Sequence, residues 1–109
     1  MTKKDDADFF ARADAHIDLA NEQLQKASRG KVSAAFLYGA SRFNAWVAAC
    51  SCGSGDELRE TKDEILEYFL QQYRAKLVEN LDDYIRNFDK YMKSGGEDAQ
   101  QNDGTGGME

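Results

Sequence analysis

The sequence predicts an all-α fold: a three-helix bundle with a long third helix. Three observations carry this. Proline is absent from all 109 residues. Alanine occurs 14 times while valine, isoleucine and threonine together occur nine times, which favours helix over sheet. Apolar residues recur at steps of three and four along most of the chain, the period of one face of an α-helix.

The first helix is expected from about Asp5 to Arg29. Phe10, Ala13, Ile17, Ala20, Leu24 and Ala27 form a heptad-like stripe with large residues at one seam position and alanine at the other. Asp5, Asp6 and Asp8 near the start and Lys26 and Arg29 near the end suit the helix dipole, and Gly30 reads as the stop. The second helix is expected from Lys31 or Val32 to Cys50. It is apolar nearly all round, which suggests a central place. Gly39 in its interior costs roughly 1 kcal/mol relative to alanine, and a close helix crossing there would compensate. Ser51 to Gly55 (SCGSG) reads as a loop.

The third helix starts near Ser54 or Asp56. Ser54-x-x-Glu57 is a capping box, and Thr61-x-x-Glu64 is a second candidate. Periodicity then continues to about Lys93 through Leu66, Leu70, Tyr73, Leu77, Leu81, Tyr84, Phe88 and Tyr91, widened by Ile65, Phe69, Ile85 and Met92. A straight helix of that length spans roughly 55 Å, against about 37 Å and 28 Å for the first two. Leu81, Tyr84, Ile85, Phe88 and Tyr91 would then have nothing in their own chain to cover them. Either the helix breaks near Asn80, with Asn80-x-x-Asp83 capping a fourth helix that folds back, or it stays straight and its end packs on a second copy or another protein. The aromatic content of this segment fits both core packing and an interface, where aromatic side chains are frequent anchors.

Residues 1–93 therefore read as one helical domain. Residues 94–109 hold five of the nine glycines, four acids and no base, and read as a disordered acidic tail. The net charge is -6. Residues 1–93 carry sixteen acids against fourteen bases, so most of the acidity lies in the tail. With no basic stripe to neutralise phosphates, nucleic-acid binding is not expected. The stretch from Val32 to Cys52 is interrupted by Arg42 and Asn44 and is too polar for a membrane span. No secretory leader follows Lys3 and Lys4, and two cysteines make no disulfide framework, so a cytoplasmic location with reduced thiols is expected.

Two segments, FFARADAHIDLANEQL (Phe9 to Leu24) and VSAAFLYGASRFNAWVAA (Val32 to Ala49), resemble a small bacterial family of uncharacterised all-helical proteins built on a domain of unknown function. The resemblance implies a small cytosolic helical protein and no activity, so it assigns no functional residue.

No motif for catalysis, a metal or a cofactor is present: no glycine-rich phosphate loop, no Gly-x-Ser-x-Gly and no His-Glu-x-x-His. Cys50-Ser51-Cys52 lacks the two-residue spacing of a redox pair and the further ligands of a zinc site, and reads as a buried Cys50 beside an incidental Cys52. His16 is the only histidine, and Asp14 and Asp18 on either side of it do not share its helix face. Arg42 lies in the most apolar helix, one turn from Tyr38 and one from Trp46. A buried arginine needs a partner, which Asp14, Asp18, Glu64 or Glu67 could supply as a structural ion pair. The functional alternative is an anion site of Arg42, Tyr38, Ser41 and Asn44. The whole reads as a non-catalytic interaction or scaffold protein that forms homodimers through Leu81, Tyr84, Ile85, Phe88 and Tyr91, with a small-ligand binder or weak enzyme around Arg42 as the alternative.

Overall fold

The computed structural model describes residues 3–94. Three long helices follow one another: α1 (Lys3–Gln23), α2 (Arg29–Cys50) and α3 (Gly55–Arg86), and a π-helical turn occupies Lys90–Ser94. There is no strand among the described residues. The all-helical class and the long third helix are as the periodicity predicts. Residues 95–109, which make up all but the first residue of the acidic tail, lie outside the described residues.

The first connection falls earlier than expected. After Gln23 the chain tightens into bonds to the third residue back, Gln25 N–H to the Glu22 carbonyl (3.2 Å) and Lys26 N–H to the Gln23 carbonyl (3.0 Å). Such bonds close a helix end. Ser28 then starts α2: its carbonyl accepts from Val32 N–H (3.0 Å) and its Oγ from Lys31 N–H (3.3 Å). Serine at this place satisfies an amide that the helix leaves unpaired. Arg29 and Gly30 thus open α2 instead of ending α1, and the N-cap signal of Ser28 outweighs the stop signal of Gly30.

The second connection is the four residues Ser51–Ser54. Ser51 N–H (3.1 Å) and Oγ (2.8 Å) both donate to the Ala48 carbonyl, and Cys52 N–H donates to that of Ala49 (3.0 Å). Ser54 is the N-cap of α3, with extended backbone (φ -162°, ψ 166°), and its Oγ accepts from Glu57 N–H at 3.1 Å. The Glu57 carboxylate reaches back one residue further than a standard capping box, to Gly53 N–H at 2.7 Å. Asp56 and Glu57 in the first turn and Arg86 in the last match the helix dipole. Asp56 also pairs with Arg59 on the surface.

Two expected features of α3 are corrected. Thr61 is no cap: it sits inside the helix, and its hydroxyl bonds to the carbonyls of Glu57 (3.2 Å) and Leu58 (3.3 Å). Nor does the helix break near Asn80, whose Nδ2 donates to the Lys76 carbonyl at 2.8 Å and follows the helix turn. The helix ends six residues later, at Arg86.

The described residues fall into two units that meet between Tyr38 and Gly39, inside α2. In the first, Val32 is the one apolar side chain that is fully covered, at 6% exposure. The stripe of α1 is covered unevenly. Ala13, Ala20, Leu24 and Ala27 are half-buried, whereas Phe10 and Ile17 stay exposed. In the second unit Asn44, Ala48 and Cys52 are half-buried on one side of the short connection, and Leu58, Thr61, Ile65 and Phe69 on the other. This is the pattern of two antiparallel helices joined by a short loop. The large apolar side chains otherwise remain in contact with water. A Cβ built on Gly39 meets nothing within 4 Å, so the close crossing expected there is not found among the described residues.

Two substitutions test these local assignments. Ser54→Ala should cost about 1 kcal/mol, and Thr61→Ala less than about half of that, because only Ser54 caps. Gly39→Ala should gain close to 1 kcal/mol, a rise in melting temperature of roughly 5 °C in a calorimetric scan.

Candidate interaction surface

Arg42 is exposed, together with Ser41 and Tyr38, while Asn44 is half-buried. Being solvated, the Arg42 guanidinium does not require the carboxylate partner that burial would demand. Tyr38 closes the first unit; Ser41, Arg42 and Asn44 belong to the second. Trp46, one turn on from Arg42, is 61% exposed and its ring lies 5.6 Å from that of Phe43. Cys50 is exposed and Cys52 half-buried, both as free thiols, so the expected burial of Cys50 is not found. His16 is exposed. Among the described residues, no three of the His, Cys, Asp and Glu side chains stand together in a way that could hold a metal ion.

The C-terminal end of α3 is built differently. Leu81 (53%), Tyr84 (47%), Ile85 (72%) and Phe88 (54%) are exposed, as the helix length predicts, and Tyr91 is half-buried. A small polar cluster ends the helix beside them. Asn87, the C-cap, donates its backbone N–H to the Asp83 carbonyl (3.0 Å) and its Nδ2 to the Asp83 carboxylate (2.8 Å). Tyr91 Oη donates to the same carboxylate, at 3.0 Å from Oδ2. Tyr91 N–H closes the turn on the Asn87 carbonyl (3.0 Å), and its ring packs on Tyr84 with centroids 4.7 Å apart. Asp83, Asn87 and Tyr91 are spaced i, i+4, i+8. That spacing is visible in the sequence, yet Asp83 reads there only as the partner of an Asn80 cap, and Asn87 alone is an ordinary surface residue.

The apolar stripe does not begin at Leu81. Leu66 (52%), Leu70 (54%), Tyr73 (55%) and Leu77 (40%) carry it upstream at the same helical spacing. From Leu66 to Tyr84 it runs about 27 Å along the helix, with Phe88 just past the C-cap. It is separate from the half-buried face of Leu58, Ile65 and Phe69, since Ile65 and Phe69 each sit one residue, about 100° round the helix, before Leu66 and Leu70. Contiguous exposed apolar surface of this extent marks interaction sites in proteins that act in water.

The family model described as "Protein of unknown function (DUF3144)" matches residues 9–85. The chain belongs to the DUF3144 family. The matched residues of this DUF3144 protein span α1 from Phe9, all of α2 and α3 to Ile85, and stop short of the Asn87 and Tyr91 cluster. No curated protein and no solved structure matches the chain. No helix among the described residues is long and apolar enough to cross a membrane.

The hydrogen bond to Asp83 holds the Tyr91 phenol above the usual tyrosine value, aided by partial burial and the carboxylate charge. The neutral phenol is the favoured form in the folded chain. Its contribution is present below about pH 10 and is lost as the pH rises through the raised folded value. Ultraviolet titration should show the Tyr91 phenol ionising above the usual tyrosine value, and Asp83→Ala should bring that step down.

Proposed function

We propose that this DUF3144 protein is a non-catalytic interaction module that self-associates through α3. The observation that carries this reading is the exposure of Leu81, Tyr84 and Ile85 on a helix that is continuous through Asn80, and of Phe88 just past its C-cap. Apolar surface gains roughly 25 cal/mol for each Å² removed from water, so a face of this kind is stabilised by contact. A second copy is a suitable cover, because it is present whenever the protein is and carries the same face. The polar cluster at Asp83 supports the reading further: it fixes the last turn of α3 and holds Tyr84 against Tyr91, which gives the face a defined shape. The reading includes a reducing compartment, where the exposed Cys50 stays free. The anion-site alternative around Arg42 has less support, since an exposed guanidinium flanked by exposed side chains encloses no ligand.

Light scattering after size exclusion tests it. At tens of micromolar the protein should run at twice its 12.2 kDa mass. Ile85→Glu should raise the dissociation constant at least tenfold, about 1.4 kcal/mol, with little change in helicity, because Ile85 is 72% exposed in the single chain. A wild-type monomer at these concentrations would overturn the reading.

A further inference from the structure

The exposed stripe of α3 has an internal symmetry. Leu66, Leu70, Tyr73, Leu77, Leu81, Tyr84 and Phe88 are separated by steps of four, three, four, four, three and four. The series reads the same in both directions about Leu77. It also repeats every eleven residues, as Leu-Leu-Tyr from Leu66 and again from Leu77. Eleven residues make three turns of about 3.67 residues, close to the natural helical period, so the seam stays on one side of a nearly straight helix.

From this we infer that two copies pair α3 against α3 in antiparallel orientation, with the two-fold axis at Leu77; the inference rests on the self-association proposed above and assigns its geometry. About that axis all seven stripe residues find a stripe residue opposite: Leu66 meets Phe88, Leu70 meets Tyr84, Tyr73 meets Leu81, and Leu77 meets itself. The large aromatic rings thereby face leucines. Centring the pair midway between Leu70 and Tyr73, or between Leu81 and Tyr84, matches only four. A closed two-fold interface must be self-complementary in this sense, the same patch serving both partners.

Charge selects the same orientation. Residues 56–67 hold six acids and two bases, whereas residues 78–93 hold four acids and three bases. Parallel pairing would set the six acids beside their own copies. Antiparallel pairing sets Arg86 and Lys90 opposite the stretch Glu64–Tyr68, and like-charge juxtaposition is what interfaces avoid. The area is sufficient. Seven large side chains, each about half exposed, offer roughly 700 Å² per copy, near the ~800 Å² that each partner contributes to a standard interface. The face is also open, because the half-buried face that α3 uses within its own chain lies about 100° away.

Spin labels at Glu60→Cys, in a full-length Cys50→Ser/Cys52→Ser background, read the geometry directly. Glu60 is exposed, so labelling disturbs little packing. The inferred pairing places the two labels about 50 Å apart, from seventeen residues of helix on each side of Leu77. A parallel pair gives less than about 20 Å, and the two slipped antiparallel registers give roughly 35 and 68 Å. Any of those three distances, in a protein that is dimeric by light scattering, would overturn this inference and leave self-association standing. Absence of a dipolar signal in a monomeric protein would overturn both. As a second measurement in the same background, Leu77→Cys should form a disulfide-linked dimer under mild oxidation. Leu70→Cys and Tyr84→Cys should each fail to do so alone and should cross-link when mixed. Self-linking of the last two would mean a parallel pair.

Discussion

The chain is governed by a mismatch of lengths. α3 has 32 residues, α2 has 22 and α1 has 21. At about 1.5 Å per residue the third helix reaches some 48 Å, while neither of the others exceeds ~33 Å. A helix three turns longer than either of the others could not have its apolar side covered along its whole length by either one of them. It would have to bend, lose its apolar residues there, or present them to something else. The sequence between Asp56 and Arg86 contains neither proline nor glycine, which removes the usual causes of a bend. It keeps leucine and tyrosine at every contact position to the end. The remaining solution is exposure, and Ile85 at 72% is its clearest case.

The end of α3 shows that this exposure is organised. Asn87 and Tyr91 both spend side-chain donors on the one carboxylate of Asp83, and the Asn87 amide occupies the Asp83 carbonyl. A helix end left unsupported would fray. Here the last apolar residues, Tyr84, Ile85 and Phe88, lie within the span that the cluster ties together. Holding side chains in place before contact reduces the ordering cost that association otherwise carries.

Much of the fold was legible in the residues. Periodicity located all three long helices, and Ser54 with Glu57 placed the start of α3, because a cap is chemistry within four residues. The errors fell where two local signals competed or where a local signal depended on what lay beyond it. Ser28 and Gly30 are two residues apart, and either one can end a segment; the serine prevailed. Asn80 and Thr61 have cap chemistry, but in mid-helix their side chains turn back to carbonyls of the preceding turn, as such residues do when the backbone amides already have partners. Gly39 and Arg42 failed for another reason. Both readings assumed close neighbours for α2, and the open space at Gly39 and the exposure of Arg42 reflect surroundings that no local pattern encodes. The stripe of α3 was legible as a stripe. Its openness upstream of Leu81 was not, since period alone cannot distinguish a face that its own chain covers from one that it leaves free.

A single copy with one fully covered apolar side chain among its described residues, Val32, obtains little stability from a core of its own. Small domains are marginal even when well packed, since burial must offset an entropy cost of similar size. Any partner that binds only the folded form of such a chain would stabilise it in proportion to the logarithm of its concentration. The segment common to the family, residues 9–85, contains six of the seven stripe residues and the whole of α2. It contains only Asp83 of the polar cluster that closes the helix. The apolar seam therefore lies mostly within the segment that the family model matches, while the device that ends the seam lies mostly beyond it. If contact along α3 adds to the stability of an already helical chain, losing the seam weakens that gain without undoing the helices, whereas the manner of ending the helix is free to differ as long as the last turn stays closed.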